Sequence, residues 1–413
     1  MKTRFITILL VILVSKVFAF AANSGTCGDN LTWIYNSETQ SLTITGSGNM
    51  YDYESDSSPW YYFDIINVDL PDGLTSIGDY SFKGSHITSI SIPNSVKRIG
   101  YNSFDGTALT SINIHNSVTT IDNEAFYGCS ELSNITIGSG VISIGRNAFM
   151  LCNDITSIRV SDKNPKYDSR KNCNAIIDTE NKTLIVGCQK TIIPKSVTSI
   201  GENAFYGCSG LKSITIPNNV TCIGDYAFSS CYNLTNITIG NGVTSIGDAA
   251  FYECKDLTSI IIPNNVKQIG SMAFTECESL TDIIIGNNVT KIDHMTFWEC
   301  SSLTSITIPN SVSSIDVYAF YGCKNLKNIV LSEGLTAIGN NAFSSCPNIA
   351  EITANMQTPP ELNCSIFSES RFSKDCGDLS KIQCFVPNNS LELYRNSDVW
   401  KSFQLMTKDS SKK

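Results

Sequence analysis

The feature that most constrains this 413-residue chain is a clock of phenylalanines. Phe82, Phe104 and Phe126 are 22 residues apart and Phe149 follows after 23; Phe205, Phe228, Phe251, Phe274, Phe297, Phe320 and Phe343 then recur every 23 residues. A cysteine stands three positions after nine of these, at Cys129, Cys152, Cys208, Cys231, Cys254, Cys277, Cys300, Cys323 and Cys346, and the string AFYGC appears three times. A fixed period of 20–50 residues means a stack of near-identical units, none of which can bury its apolar face alone.

One unit, Ser209–Cys231, reads SGLKSITIPNNVTCIGDYAFSSC. Leu211, Ile214 and Ile216 follow an L-x-x-I-x-I pattern, so a strand should point Ile214 and Ile216 inward and Ser213 and Thr215 outward. Val220 and Ile223 suit a second wall, and the four-residue spacing of Ile223, Ala227 and Cys231 suits a short helical turn. The residue closing each front strand alternates, Pro217, Gly240, Pro263, Gly286, Pro309, which makes two coils the apparent unit of duplication. Proline lacks the N–H a ladder needs, so the strand should end there.

The cysteine is then a small apolar residue for an inward corner, because Ser85 and Thr107 take the same place in the first coils. The nine thiols are expected to be buried and reduced. No C-x-x-C, H-E-x-x-H, G-x-S-x-G or phosphate-cradling glycine loop is present. His86, His115 and His294 fall at different positions of different coils and cannot converge. No catalytic residue, metal site or cofactor is implied. The formal charge of −9 argues against a nucleic-acid partner.

Three segments depart from the period. Residues 161–190 form an island in which NAIID and KTLIV flank a TEN turn, the pattern of a β-hairpin. A turn between Glu180 and Asn181 would set Cys173 opposite Cys188, close enough for a cross-strand disulfide. Residues 22–72 read as a β-rich N-terminal module whose aromatic cluster PWYYF, Pro59–Phe63, should cover the first coil; left exposed, it would offer a sugar-stacking or protein-binding patch. Residues 347–404 read as a C-terminal cap, with Asn389 or Ser390 capping a short helix and Trp400 and Phe403 lying over the last coil. Cys364, Cys376 and Cys384 fall here and include the second candidate disulfide. Residues 73–346 are the repeat array, and 405–413 are expected to be a flexible tail. Residues 1–21 carry a positive start, a short apolar run and small residues at Ala19 and Ala21, the marks of a secretory signal, which would leave no membrane span in the exported chain.

These repeats, LTSITIPNSVSSIDVYAFYGC among them, resemble the BspA-type leucine-rich repeats of secreted and surface proteins. The leader CGDNLTWIYNSETQSLTITGSGNMYDY, the island DSRKNCNAIIDTENKTLIVGC and the closing FVPNNSLELYRNSDVW resemble the segments that accompany such arrays. The resemblance implies a right-handed β-rich superhelix and a role in adhesion, as a secreted or cell-surface protein that binds host matrix or cell-surface proteins. It implies no catalytic residues.

The surface a partner could use is the outward row of the front sheet: Ser91, Asn113, Thr136 and Arg159 before the island, and Thr215, Thr238, Ile261, Ile284, Thr307 and Val330 after it. Two isoleucines between threonines make an apolar stripe where a protein could gain affinity. Glycan binding through the aromatic N-terminal module is the alternative.

Overall fold

The computed structural model describes residues 23–368 and 376–407. The secretory-signal segment lies outside the described residues. From Gly73 onward the chain winds as a solenoid whose regular coil contributes a front strand, a two-residue back strand and a turn. Front strands pair in parallel and in register: Ser213–Ile216 sets Ile214 beside Ile237 and Ile216 beside Ile239 of Asn236–Ile239. Back strands do the same, as Ile200, Ile223, Ile246 and Ile269 align along one wall.

The alternation read from SITI holds, with Ile214 and Ile216 buried and Ser213 and Thr215 exposed. Val220, Ile223, Ala227, Phe228 and Cys231 close the inside of that coil completely. The phenylalanines form two columns. Trp60, Phe82, Phe104, Phe126 and Phe149 stack in one, and Phe205 through Phe343 to Phe367 in the other. Within the second column, Phe251 lies 5.3 Å from Phe228 and 5.2 Å from Phe274, with rings tilted by 2° and 6°.

The segment expected as a helical turn is built differently. Residues two before and two after each phenylalanine are left-handed, as at Tyr226 (φ 54°) and Ser230 (φ 56°), or Asn203 (φ 55°) and Gly207 (φ 69°). A helix admits no such residue, so the segment is a pair of tight turns. Non-glycine residues there cost about 1–2 kcal/mol each. The offset is a second hydrogen-bond ladder running between coils: Asn203 N–H donates to the Asp225 carbonyl (3.0 Å), Phe205 to Ala227 (2.8 Å) and Gly207 to Ser229 (2.9 Å).

All nine ladder cysteines are free and buried. Eight of them donate the thiol to the phenylalanine carbonyl of the preceding coil, as Cys231 does to Phe205 (3.2 Å) and Cys254 to Phe228 (3.2 Å). Cys208, in the first full coil after the island, has no such bond.

At the N-terminus β1 (Ser24–Gly28), β2 (Leu31–Asn36) and β3 (Ser41–Asn49) form an antiparallel meander, and β3 then pairs in parallel with Gly73–Ile77 to start the stack. Trp60 stacks on Phe82 and donates its indole N–H to the Ser81 carbonyl (2.5 Å). Arg98 ties the module to the first coils through Asp52 (2.9 Å), Asp79 and Asp122 (2.6 Å).

At the other end Glu351–Ala354, Gln383–Val386 and Gln404–Thr407 extend the front sheet in parallel. Residues 405–407, assigned to the tail from sequence, are part of that last strand. Trp400 is buried and donates to the Pro360 carbonyl (2.9 Å), while Phe403 packs edge-on against Phe367. The helix Leu391–Arg395 is not capped by a side chain as expected. The Ser390 hydroxyl turns to Gln357 Oε1 instead, and a 3-10 turn, Asn388–Ser390, leads into the helix.

The island does contain the hairpin, Ile176–Asp178 against Thr183–Val186, but with a bulge that sets Ile176 beside Val186 and Ile177 beside Leu184. The extra residue moves Cys188 out of the place opposite Cys173. Both are buried free thiols, so the cross-strand disulfide expected from an unbroken register is corrected. The disulfide that forms joins Cys364 to Cys376 in the C-terminal cap, and Cys384 stays free.

Candidate binding face

Parallel in-register pairing gives the front sheet its functional geometry. Every outward residue has its counterpart in the next coil directly beside it, so equivalent positions form straight rows. In the expected row Thr215 stands opposite Thr238, Ile261 opposite Ile284 and Thr307 opposite Val330. All are exposed except Val330, which is half-buried. Ile261 and Ile284 keep 63% and 61% of their surface, although each belongs to a strand whose neighbouring isoleucines turn inward. Those two strands end at Ile261 and Ile284, so the pair sits at the strand exits, two residues before Pro263 and Gly286.

The row beside it is polar: Ser213, Asn236, Ser259, Asp282, Ser305 and Asn328, all exposed. On the far side of the strand entry, threonine hydroxyls are spent on the coil below, as Thr235 donates to the Lys212 carbonyl (3.0 Å) and Thr281 to that of Thr258 (3.1 Å). The isoleucine pair is therefore an apolar island on a sheet whose polar neighbours are ordered and partly self-satisfied.

Three residues extend the apolar character of the face, and sequence reasoning missed them. Ile192 precedes Ile200 by eight residues, as Thr215 precedes Ile223, and it is exposed. At the other end the register carries the row from Val330 through Thr353 to Phe385 and Met406. Phe385 and Met406 sit in aperiodic sequence, where only the alternation in QCFV marks a strand. Before the island Asn113, Thr136 and Arg159 continue in register as a polar stretch.

The N-terminal aromatic cluster does not offer the face considered for it. Trp60 is buried in the column, and Phe63 stacks on Tyr35 at 4.5 Å; Tyr62 is the large aromatic of the cluster left open. His86 is paired with Asp64 at 2.7 Å on the surface, and His294 lies against Tyr318 in the turn edge. Among the described residues no group of three or more His, Cys, Asp or Glu is placed to hold a metal ion, and no helix is long and apolar enough to cross a membrane. Burial pushes Cys208 to about 12 and Cys231, Cys254 and Cys300 well above their ordinary value, the opposite of what a nucleophilic thiolate requires, while a hydrogen bond with Cys152 lowers Cys129.

The BspA type leucine rich repeat region matches this chain in six copies, over residues 56–176, 186–304 and 290–395. Among solved structures, a leucine-rich repeat protein from Eubacterium ventriosum is similar at 23% identity and a TM-score of 0.56, over 72% of this chain and 94% of the other. The pneumococcal vaccine antigen PcpA is similar at 16% identity and a TM-score of 0.53, over 93% of this chain and 98% of its own. At these identities the likeness concerns the fold. A search of curated protein sequences found no match.

Proposed function

The chain belongs to the BspA-type leucine-rich-repeat family, and from that premise we propose that it is a non-enzymatic, exported recognition module that binds protein partners, such as host matrix or cell-surface proteins, through its front sheet. The observation that carries this reading is the exposed, in-register pair Ile261 and Ile284, flanked by threonines and extended toward Val330, Phe385 and Met406. A flat sheet presents many side chains at once and needs no pocket. Affinity then comes from a central apolar anchor with a polar surround that excludes water.

Covering what each isoleucine still exposes is worth about 1–2 kcal/mol. Replacing both, Ile261→Asp with Ile284→Asp, should therefore weaken partner capture roughly 30-fold or more. The measurement is a pull-down and titration of matrix and plasma proteins with wild type and the double variant, both checked for native circular dichroism. Undiminished capture by the folded double variant would remove the pair from the interface. Localisation at the cell surface or in the medium is part of the same proposal, tested by fractionating cells that express the native gene.

A further inference from the structure

The island leaves one coil without its turn. From the back wall to the next inward front residue, Ile144 to Ile158 and Ile200 to Ile214 each take fourteen residues; Leu184, which aligns beside Ile200, reaches the equivalent Thr191 in seven. The residues skipped are those of the phenylalanine turn. Between the turn bearing Phe149 and the turn bearing Phe205 the structure accordingly holds a cavity of about 290 Å³, lined by Phe149, Cys152, Ile155, Ile185, Phe205 and Cys208 among others.

The walls carry the imprint of the missing turn. In the coils on either side, the N–H groups two before, at and two after the phenylalanine donate to the next coil, as at Glu124, Phe126 and Gly128 or at Asn203, Phe205 and Gly207. Those of Asn147, Phe149 and Leu151 have no acceptor among the described residues. On the opposite wall the carbonyls of Glu202 and Tyr206 receive nothing among the described residues, and that of Ala204 takes one bond from Gly187 N–H (2.7 Å). Phe149 stacks on Phe126 at 5.2 Å but, among the described residues, has no ring on its other face. The Cys208 thiol is the one in the ladder without a phenylalanine carbonyl to bond. Gly187 backs the slot so closely that a Cβ there would stand 2.1 Å from the Phe205 ring. At the mouth Arg146 pairs with Glu202, and Asn203 donates to Asn147 (2.9 Å), both reaching across the gap.

We propose that this slot receives an aromatic side chain carried on a short extended or turned segment of a partner protein, whose carbonyls satisfy Asn147, Phe149 and Leu151 while its ring lies on the open face of Phe149. The inference rests on the protein-binding reading above but uses a different surface. A row of unpaired donors beside an apolar floor recognises backbone plus one ring, the logic of strand addition to a sheet edge. The chain's own turn defines the shape that fits.

The probe is a fluorescein-labelled peptide of residues 201–208 with serine in place of the cysteine, titrated by anisotropy against the full chain. Saturable binding is expected. It should weaken at least about tenfold when the peptide's phenylalanine is replaced by alanine, the value of a lost aromatic contact and its burial. Ile185→Trp and Thr183→Trp, which project into the slot from one face of a strand, should weaken it similarly. Bound peptide should also slow alkylation of Cys208 by iodoacetamide in the unmutated protein. Ile261→Asp with Ile284→Asp should leave peptide binding unchanged, so that failure at the front sheet and failure at the slot are told apart. No binding, equal binding of the alanine peptide, or binding that leaves Cys208 alkylation unaltered overturns the proposal.

Discussion

Phenylalanine stacking can be weighed by comparing two positions of the same ladder that differ in the number of ring neighbours. Phe251 is fully buried with a parallel ring on each side, at 5.3 and 5.2 Å; Phe149 is nearly as buried but has Phe126 on one side and the slot on the other. Truncation of Phe251 to alanine loses a large side chain and leaves a cavity in a stack that cannot collapse, at a cost of about 3–5 kcal/mol. Leucine at the same place keeps most of the apolar volume and removes the ring contacts, each worth about 0.5–1.5 kcal/mol. Phe251→Leu should therefore cost about 1–3 kcal/mol and Phe149→Leu about half of that. Because a repeat array can open locally, native-state hydrogen exchange of the amides at Phe251 and Phe274, and at Phe126, reads each cost where it arises. Equal losses for the two leucine variants would refute the idea that ring stacking, beyond burial, holds the column.

The thiol ladder predicts alkaline lability. Burial raises Cys208 and Cys384 to about 12 and Cys231, Cys254 and Cys300 well above their ordinary value. A thiol raised on folding contributes stability that is intact below about pH 8.5 and lost as pH rises toward the folded value, at up to about 1.4 kcal/mol per unit for each group. Circular dichroism followed from pH 8 to 11 should show cooperative unfolding before the upper limit, and a chain unchanged at pH 11 would contradict the buried ladder. Peptide mapping after alkylation in denaturant should find Cys364 joined to Cys376 and Cys173 and Cys188 separately alkylated; a Cys173–Cys188 peptide would restore the unbulged hairpin.

The solenoid was legible because its core is a repeated steric problem. A phenylalanine every 23 residues, followed by a cysteine that serine or threonine can replace, identifies an inward corner whose size matters and whose chemistry does not. The strand alternation in SITI was equally direct. The turn was not, because two left-handed residues four apart bring Ile223, Ala227 and Cys231 to one side with the same spacing a helix would give. Propensity offers no warning when Tyr226 or Ala249 takes φ near 50°. That conformation is imposed by the ladder to the next coil. The hairpin register failed at one bulge, a local event with no mark in the pattern of IID and TLIV. Phe385 and Met406 escaped notice since their strands follow no period. Ile192 and the slot could have been found by counting, since both follow from the distances between Leu184, Thr191 and Ile200.

The two surfaces proposed for recognition have a common origin. In-register stacking satisfies each coil with the one before and the one after it, which leaves the regular part of the molecule with nothing to offer except the side chains on its outside. Hence the front face can bind only through what its rows present, and Ile261 with Ile284 is where those rows turn apolar. Unpaired backbone arises where the stack is broken. The island supplies a back strand, so that Leu184 continues the wall to Ile200, yet it omits the turn, so that Phe149 faces open space. An inserted segment that completed the turn would erase the cavity and lengthen the column by one ring. The shortcut at Gly187–Lys190 is therefore what gives this array a shaped site at the island, and a chain with the seven residues restored should gain stability as it loses the peptide.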